Sequence, residues 1–217
     1  MSGPITVVLA DEHALVREAL AQWLRTTPDI RVVAHAANGD EAAAAVTHHK
    51  PAVVVLGVDM PGRDCFSVAR TVRSVSPGTK VIFLSALAQD CHIEQALAVR
   101  AAGFLTKGNS PAALAAAIRG VNAGQVHFSP EVQARIVIDS RGTRLVGAPT
   151  RCAKLSAREL EVLRHITRGL TRKQIAQAMC LSADTVHGHT ANLMKKLKLH
   201  SRVALTRFAI REGLVTI

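Results

Sequence analysis

The 217-residue sequence has no tyrosine, and aromatic residues amount to only 3% of it. Proteins that bind single strands or RNA loops stack bases on aromatic rings, so that class of binder is disfavoured. The four cysteines, Cys65, Cys91, Cys152 and Cys180, stand singly, with no CxxC pair and no histidine at finger spacing. Neither a zinc site nor a disulfide scaffold is indicated. Long apolar runs are missing as well. One of the longest, Ala52–Val58, has Gly57 inside it and is far too short to span a bilayer. Met1-Ser-Gly-Pro-Ile-Thr6 lacks the charged and apolar regions of a secretory signal. No GxxxxGK, GxGxxG or GxSxG pattern occurs, which removes the commonest nucleotide and hydrolase signatures. A cytoplasmic chain with no membrane partner is expected.

What is present divides the chain in two. Hydrophobic residues make up 48% and charged ones 20%, enough to bury real cores. The net charge of +11 is unevenly placed: residues 1–122 carry 11 basic and 10 acidic side chains, and residues 123–217 carry 16 and 6. A near-neutral module joined to a strongly basic one points to a partner that is a polyanion. In the first part, short β-branched runs (Ile5–Ala10, Arg31–His35, Ala52–Val58, Lys80–Leu84, Gly103–Thr106) alternate with helical patterns (Glu12–Thr26, Gly39–His49, Arg63–Val75, Gln89–Ala102, Ser110–Asn122). Five strand-then-helix units predict an α/β domain, a doubly wound five-stranded parallel sheet with helices on both faces, over residues 1–122. Val53–Leu56 and Val81–Leu84 lack alternation, as strands buried on both sides should.

In such sheets chemistry collects at the carboxyl ends of the strands. Asp11 and Glu12 follow the first strand, Gly57 and Asp59 close the third, Ser85 follows the fourth and Lys107 the fifth. An acidic pair can hold Mg²⁺ through oxygen ligands, and a hydroxyl with an ammonium can bind a phosphoryl group. Ala10-Asp-Glu-His13-Ala-Leu-Val-Arg17, Met60-Pro61-Gly62, Phe83-Leu-Ser85-Ala86 and Gly103-Phe-Leu-Thr-Lys107 together resemble the receiver domain of bacterial response regulators. The resemblance implies that Phe104 is the aromatic that changes rotamer on activation. It also implies that the phosphorylated aspartate stands four residues before the turn proline, where this chain has Gly57. Glycine carries no nucleophile, so no acyl phosphate can form there. Losing that carboxylate, with Glu12 in place of the usual second aspartate, leaves at most a weak Mg²⁺ site at Asp11 and Glu12; no metal or other cofactor is expected. The expectation is a pseudo-receiver, with Asp59 as surrogate acceptor the alternative.

Residues 123–153 read as a linker. A short helix over Val132–Asp139 follows Ser129-Pro130, and 140–153 is expected to be a mobile tether with Arg141, Arg144 and Arg151. From Lys154 to Ile217 the pattern is all-helical. Ser156-Ala-Arg-Glu159 and Thr171-Arg-Lys-Gln174 are capping boxes, a third helix spans Ala183–Leu197, and Ser201 caps a fourth, Arg202–Glu212. These four helices, with Leu155-Ser-x-Arg-Glu159, Gly169-Leu-x-x-Lys173-x-Ile-Ala176 and Leu181-Ser-x-x-Thr185-Val186-x-x-His189, resemble the LuxR-type (NarL/FixJ-like) helix-turn-helix domain.

That resemblance implies that the third helix enters the major groove. His187, Gly188 and Ala191 then face base edges, while Thr171, Arg172, Lys173, Ser182, Thr185, Thr190 and Lys195 face phosphates. Lys196 is expected to be merely solvated. The partners expected are double-stranded DNA carrying an inverted repeat, a second copy of the chain, RNA polymerase and, in the cleft the phosphate vacates, an anionic or polar metabolite. A sequence-specific, non-enzymatic transcription regulator is the resulting expectation.

Overall fold

The computed structural model describes residues 3–139, 142–146, 151–179, 181–212 and 214. Cys180, positions 147–150 of the expected tether, Arg141 and positions 215–217 lie outside the described residues. Two compact units are formed, one of residues 1–88 and 96–144, the other of 89–95 and 145–217.

The first unit is built on strands β1 (Ile5–Ala10), β2 (Ile30–Ala36), β3 (Val53–Gly57), β4 (Lys80–Ser85) and β5 (Gly103–Thr106). Helices α1 (Ala14–Arg25), α2 (Gly39–His49), α3 (Cys65–Val75), α4 (Asp90–Ala98) and α5 (Pro111–Asn122) alternate with them along the chain, residues 90–95 of α4 being grouped with the second unit. All five residues of β3 are buried, as its uninterrupted apolar run requires. Side chains alternate between the two faces. Val7, Leu9, Val53, Val55, Ile82 and Leu84 pack with Leu24 of α1 and Ile118 of α5. The opposite face is aromatic, with Phe66 of α3 4.8 Å from Phe83, and Phe83 6.3 Å from Phe104. Helix starts are set locally: Asn38 accepts from the Glu41 amide, Asp64 from Ser67 and Ser110 from Ala113.

The sheet has six strands rather than five. His127–Phe128 (β6) pairs in parallel with β5, giving the order β2-β1-β3-β4-β5-β6. Two residues are too short to show a period, so the sequence carried no strand signal there. The linker also differs from expectation. The helix after Ser129 is one turn, Pro130–Gln133 (α6), and Ile136–Asp139 (β7) forms a two-stranded sheet with Gly142–Leu145 (β8). Ile136, Val137 and Ile138 are β-branched and resist the helix that was expected to continue. Arg144 thus belongs to a strand, and Arg151 begins a 3₁₀ turn over Arg151–Lys154. The Arg151 guanidinium donates to the Leu197 carbonyl and lies 5.1 Å from the centre of the Phe208 ring. Those two positions are structured, not tether.

Four helices make the second unit: α7 (Ala157–Thr167), α8 (Arg172–Ala178), α9 (Ala183–Leu197) and α10 (Arg202–Arg211). Both capping boxes close reciprocally, Ser156 with Glu159 and Thr171 with Gln174. Gly169 ends the turn after α7 at φ +80°, a left-handed backbone that glycine adopts without a Cβ clash. Leu160, Leu163, Ile175, Val186, Leu193, Leu197, Leu205 and Phe208 form the core. No helix among the described residues is long and apolar enough to cross a membrane.

Candidate functional site

In the first unit the strand order reverses at β1, which is flanked by β2 and β3. The loops beyond β1 and β3 therefore open a crevice at their carboxyl ends. Four of the expected pocket residues, Asp11, Glu12, Gly57 and Lys107, are brought together there from three strands. The Lys107 ammonium reaches back across 96 positions and donates to Asp11 Oδ1 at 3.0 Å and to Glu12 Oε1 at 3.0 Å. Asp11 is fully buried. Burial opposes the charge on Lys107, but its hydrogen bonds to Asp11 and Glu12 outweigh burial and raise its pKa above that of an ordinary lysine. The ammonium is therefore permanent at neutral pH.

Two side chains without an assigned role belong to the same cluster. His13 Nδ1 lies 2.7 Å from Glu12 Oε1 and 3.1 Å from Lys107 Nζ. Arg17 donates to the Asp11 carbonyl at 2.7 Å. Both stand within six residues of Asp11, His13 as the N-cap of α1 and Arg17 inside it.

Gly57 closes the pocket. A Cβ at that position would lie 3.0 Å from Glu12 Oε2 and 3.1 Å from Asp11 Oδ2. Neither of those buried oxygens receives a hydrogen bond, although Asp11 Oδ2 is 2.9 Å from Lys107 Nζ in an orientation unsuited to one. Two carboxylate oxygens thus converge on the space beside the Gly57 Cα. One ligand atom each from Asp11, Glu12 and His13 lies within 4.8 Å of the others. Both carboxylates, however, already bond to the single ammonium of Lys107. Mg²⁺ demands near-ideal octahedral oxygen coordination, and Asp11 and Glu12 offer it only oxygens of two carboxylates that Lys107 already holds.

The remaining pocket residues are placed around this cluster. Ser85 is buried at the end of β4, and its carbonyl accepts from the Lys107 amide at 2.7 Å. Phe104 is fully buried in β5. Asp59 lies half-buried in the turn after β3, and the three atoms nearest the missing Gly57 side chain all come from Asp11 and Glu12.

In the second unit α8 and α9 form the two helices of the turn motif. Val186, Leu193 and Leu197 face its core, while His187, Gly188, Ala191 and Lys195 are exposed. Arg172 and Lys173 are exposed at the start of α8. The hydroxyls are less free than their sequence positions imply. Thr171 Oγ1 donates to Gln174 Oε1, and half-buried Thr190 donates to the Val186 carbonyl. Each has spent its single proton, and a phosphate oxygen needs a donor. Ser182 and Thr185 share one hydrogen bond of 2.8 Å, so one proton of the pair remains available. Lys196, expected to be solvated, instead donates to buried Glu159 at 2.7 Å and locks α9 to α7.

His165 of α7 is buried and depressed in pKa, first by burial and then by Arg168 and Arg164. Its neutral form stabilises the fold fully above 6.5, the ordinary histidine value, and that contribution is lost as pH falls below it. Melting followed from pH 7.5 down to 5 is expected to fall less steeply in His165→Leu than in the natural chain. His35, also depressed by burial, contributes to both, so equal slopes would show that His165 carries no such linkage.

The model of the response regulator receiver domain matches residues 7–119, and that of the bacterial regulatory proteins of the luxR family matches residues 153–209. Response regulator UvrY of Escherichia coli is 30% identical over 97% of this chain and 95% of its own. Oxygen regulatory protein NreC of Staphylococcus epidermidis is 32% identical over 96% of this chain and 98% of its own. RcsB of Salmonella enterica, solved bound to the promoter rprA with phosphomimetic BeF3-, superposes with a TM-score of 0.67 over 95% of this chain and 98% of its own, at 18% identity.

Proposed function

The chain belongs to the DNA-binding transcriptional response regulators of the luxR family, and from that premise we propose that it regulates transcription without a phosphoryl switch. One observation supports this reading. A Cβ at Gly57 would lie 3.0 Å from Glu12 Oε2 and 3.1 Å from Asp11 Oδ2, and the receiver resemblance puts the acceptor carboxylate at this position. A carboxylate is the nucleophile of acyl-phosphate formation, and a glycine cannot replace it. Lys107 is hydrogen-bonded to both remaining carboxylates and offsets one of their two charges. Dimerisation or a polar ligand bound beside Lys107 then replaces phosphorylation as the control. Incubation of the purified protein with acetyl phosphate and Mg²⁺, followed by intact mass, is expected to give no phosphoryl adduct. An adduct that disappears in Asp59→Asn would overturn the reading in favour of Asp59 as acceptor.

The helical unit binds double-stranded DNA through α9, with specificity at His187, Gly188 and Ala191 and backbone attraction from Arg172, Lys173 and Lys195. Exposed Val203 and Ile210 stand two turns apart on α10, an apolar stripe suited to a second copy of the chain. A two-fold dimer reads an inverted repeat; contact with RNA polymerase would follow at the promoter. His187→Ala is expected to change the preferred sequence at a cost of about 1–3 kcal/mol. Lys173→Ala is expected to weaken all DNA equally and to reduce the salt slope by about one unit. Binding titrations on specific and random duplexes separate the two, and identical behaviour of both variants would refute this division of labour.

A further inference from the structure

Asp184 stands in the first turn of α9 and is exposed. On a helix advancing by about 100° per residue, Asp184, Gly188, Ala191 and Lys195 lie along one stripe. That stripe is roughly opposite the buried Val186, Leu193 and Leu197. Asp184 is therefore on the side turned away from the core, at the end of the helix that penetrates deepest into a groove.

From Lys154 onward the chain has twelve basic side chains and four acidic ones. Three of the acids are occupied: Glu159 pairs with Lys196 at 2.7 Å, Glu161 with Arg158 at 2.8 Å and Glu212 with Arg211 at 3.9 Å. Asp184 has no such partner among the described residues. An unneutralised carboxylate on this stripe opposes binding to phosphates. Favourable interaction with the helix dipole is available on any side of the first turn and does not require the groove-facing stripe. On this stripe a donor inside the groove would turn the repulsion into a favourable contact.

We propose that Asp184 is a base-reading residue whose carboxylate accepts a hydrogen bond from the exocyclic amino group of cytosine, specifying one C·G pair in each half-site. In the major groove cytosine offers N4–H₂, a donor, whereas guanine and thymine present acceptors that a carboxylate repels. Asp184 thereby adds a charged, discriminating contact to a face otherwise read by His187 and small side chains. The inference rests on α9 being the groove-entering helix, as proposed above.

The test is selection from a random duplex library by the full-length protein and by its Asp184→Asn and Asp184→Ala variants. The natural chain is expected to enrich cytosine at one position per half-site about tenfold over guanine or thymine. Asp184→Asn should turn that preference toward adenine, whose N6 and N7 match an amide, and Asp184→Ala should abolish it. All other positions, including the one that His187→Ala alters, should stay as they were. Identical profiles for the three proteins, or a uniform change on every sequence, would overturn the inference and leave Asp184 a helix-dipole residue. Failure of the natural chain to select any sequence would instead refute the role of α9 itself, and this inference with it.

Discussion

Replacing Lys107 by methionine is expected to lower the stability of the first unit by about 3 kcal/mol at pH 7, the scale for a buried charge deprived of its partner. The methionine keeps an apolar stem but removes the ammonium that lies 2.9–3.0 Å from Asp11 and Glu12. Asp11 is fully buried, and Glu12 has only 16% of its side chain exposed, so water cannot replace the lost contacts. An unpaired charge would then remain buried. Urea denaturation at pH 7 measures the size of the loss. A loss below about 1 kcal/mol at pH 7 would mean that the cluster behaves as a solvated surface pair.

Gly57→Asp should produce the largest functional change, from no phosphoryl adduct to a measurable one. The new Cβ enters at 3.0 and 3.1 Å from the two carboxylate oxygens, closer than ordinary packing, so the neighbours must shift by a few tenths of an ångström. A third carboxylate beside two others adds repulsion, and in chelator the variant is expected to be less stable by about 1–3 kcal/mol. The same three carboxylates make an oxygen-ligand set suited to Mg²⁺, so adding Mg²⁺ should recover stability in the variant and not in the natural chain. With acetyl phosphate present, intact mass should then show the adduct, and peptide mapping should place it on the introduced carboxylate. If Gly57→Asp gains neither Mg²⁺ stabilisation nor an adduct, the pocket lacks more than its acceptor.

Much of the fold could be read residue by residue. Strands β1 and β5, helix α2 and helix α9 run over the expected residues because burial period, N-cap and C-cap all lie within the element itself. Elements whose existence depends on a distant neighbour were not legible. β6 is two residues held by the edge of β5, and β8 exists because β7 is beside it. The site divides in the same way. Asp11, Glu12, Gly57 and Lys107 were identified by their places at strand ends. The contribution of His13, and the spending of the Thr171 and Thr190 protons on Gln174 and Val186, depend on atoms whose separation no pattern encodes.

Sequence alone determined that a near-neutral α/β unit precedes a basic helical one, and that position 57 has no nucleophile. Periodicity, capping and the chemistry of a side chain are local properties, and they are written in the order of the residues. Tertiary structure alone decided that Lys107 bonds to both Asp11 and Glu12 beside Gly57. It also decided that Lys196 is tied to Glu159, and that Asp184 is the one acid of the helical unit without a partner among the described residues. Ion pairing and burial vary with distances measured across the folded chain, set by the parallel crossovers of the sheet for Lys107 and by the packing of α9 on α7 for Lys196.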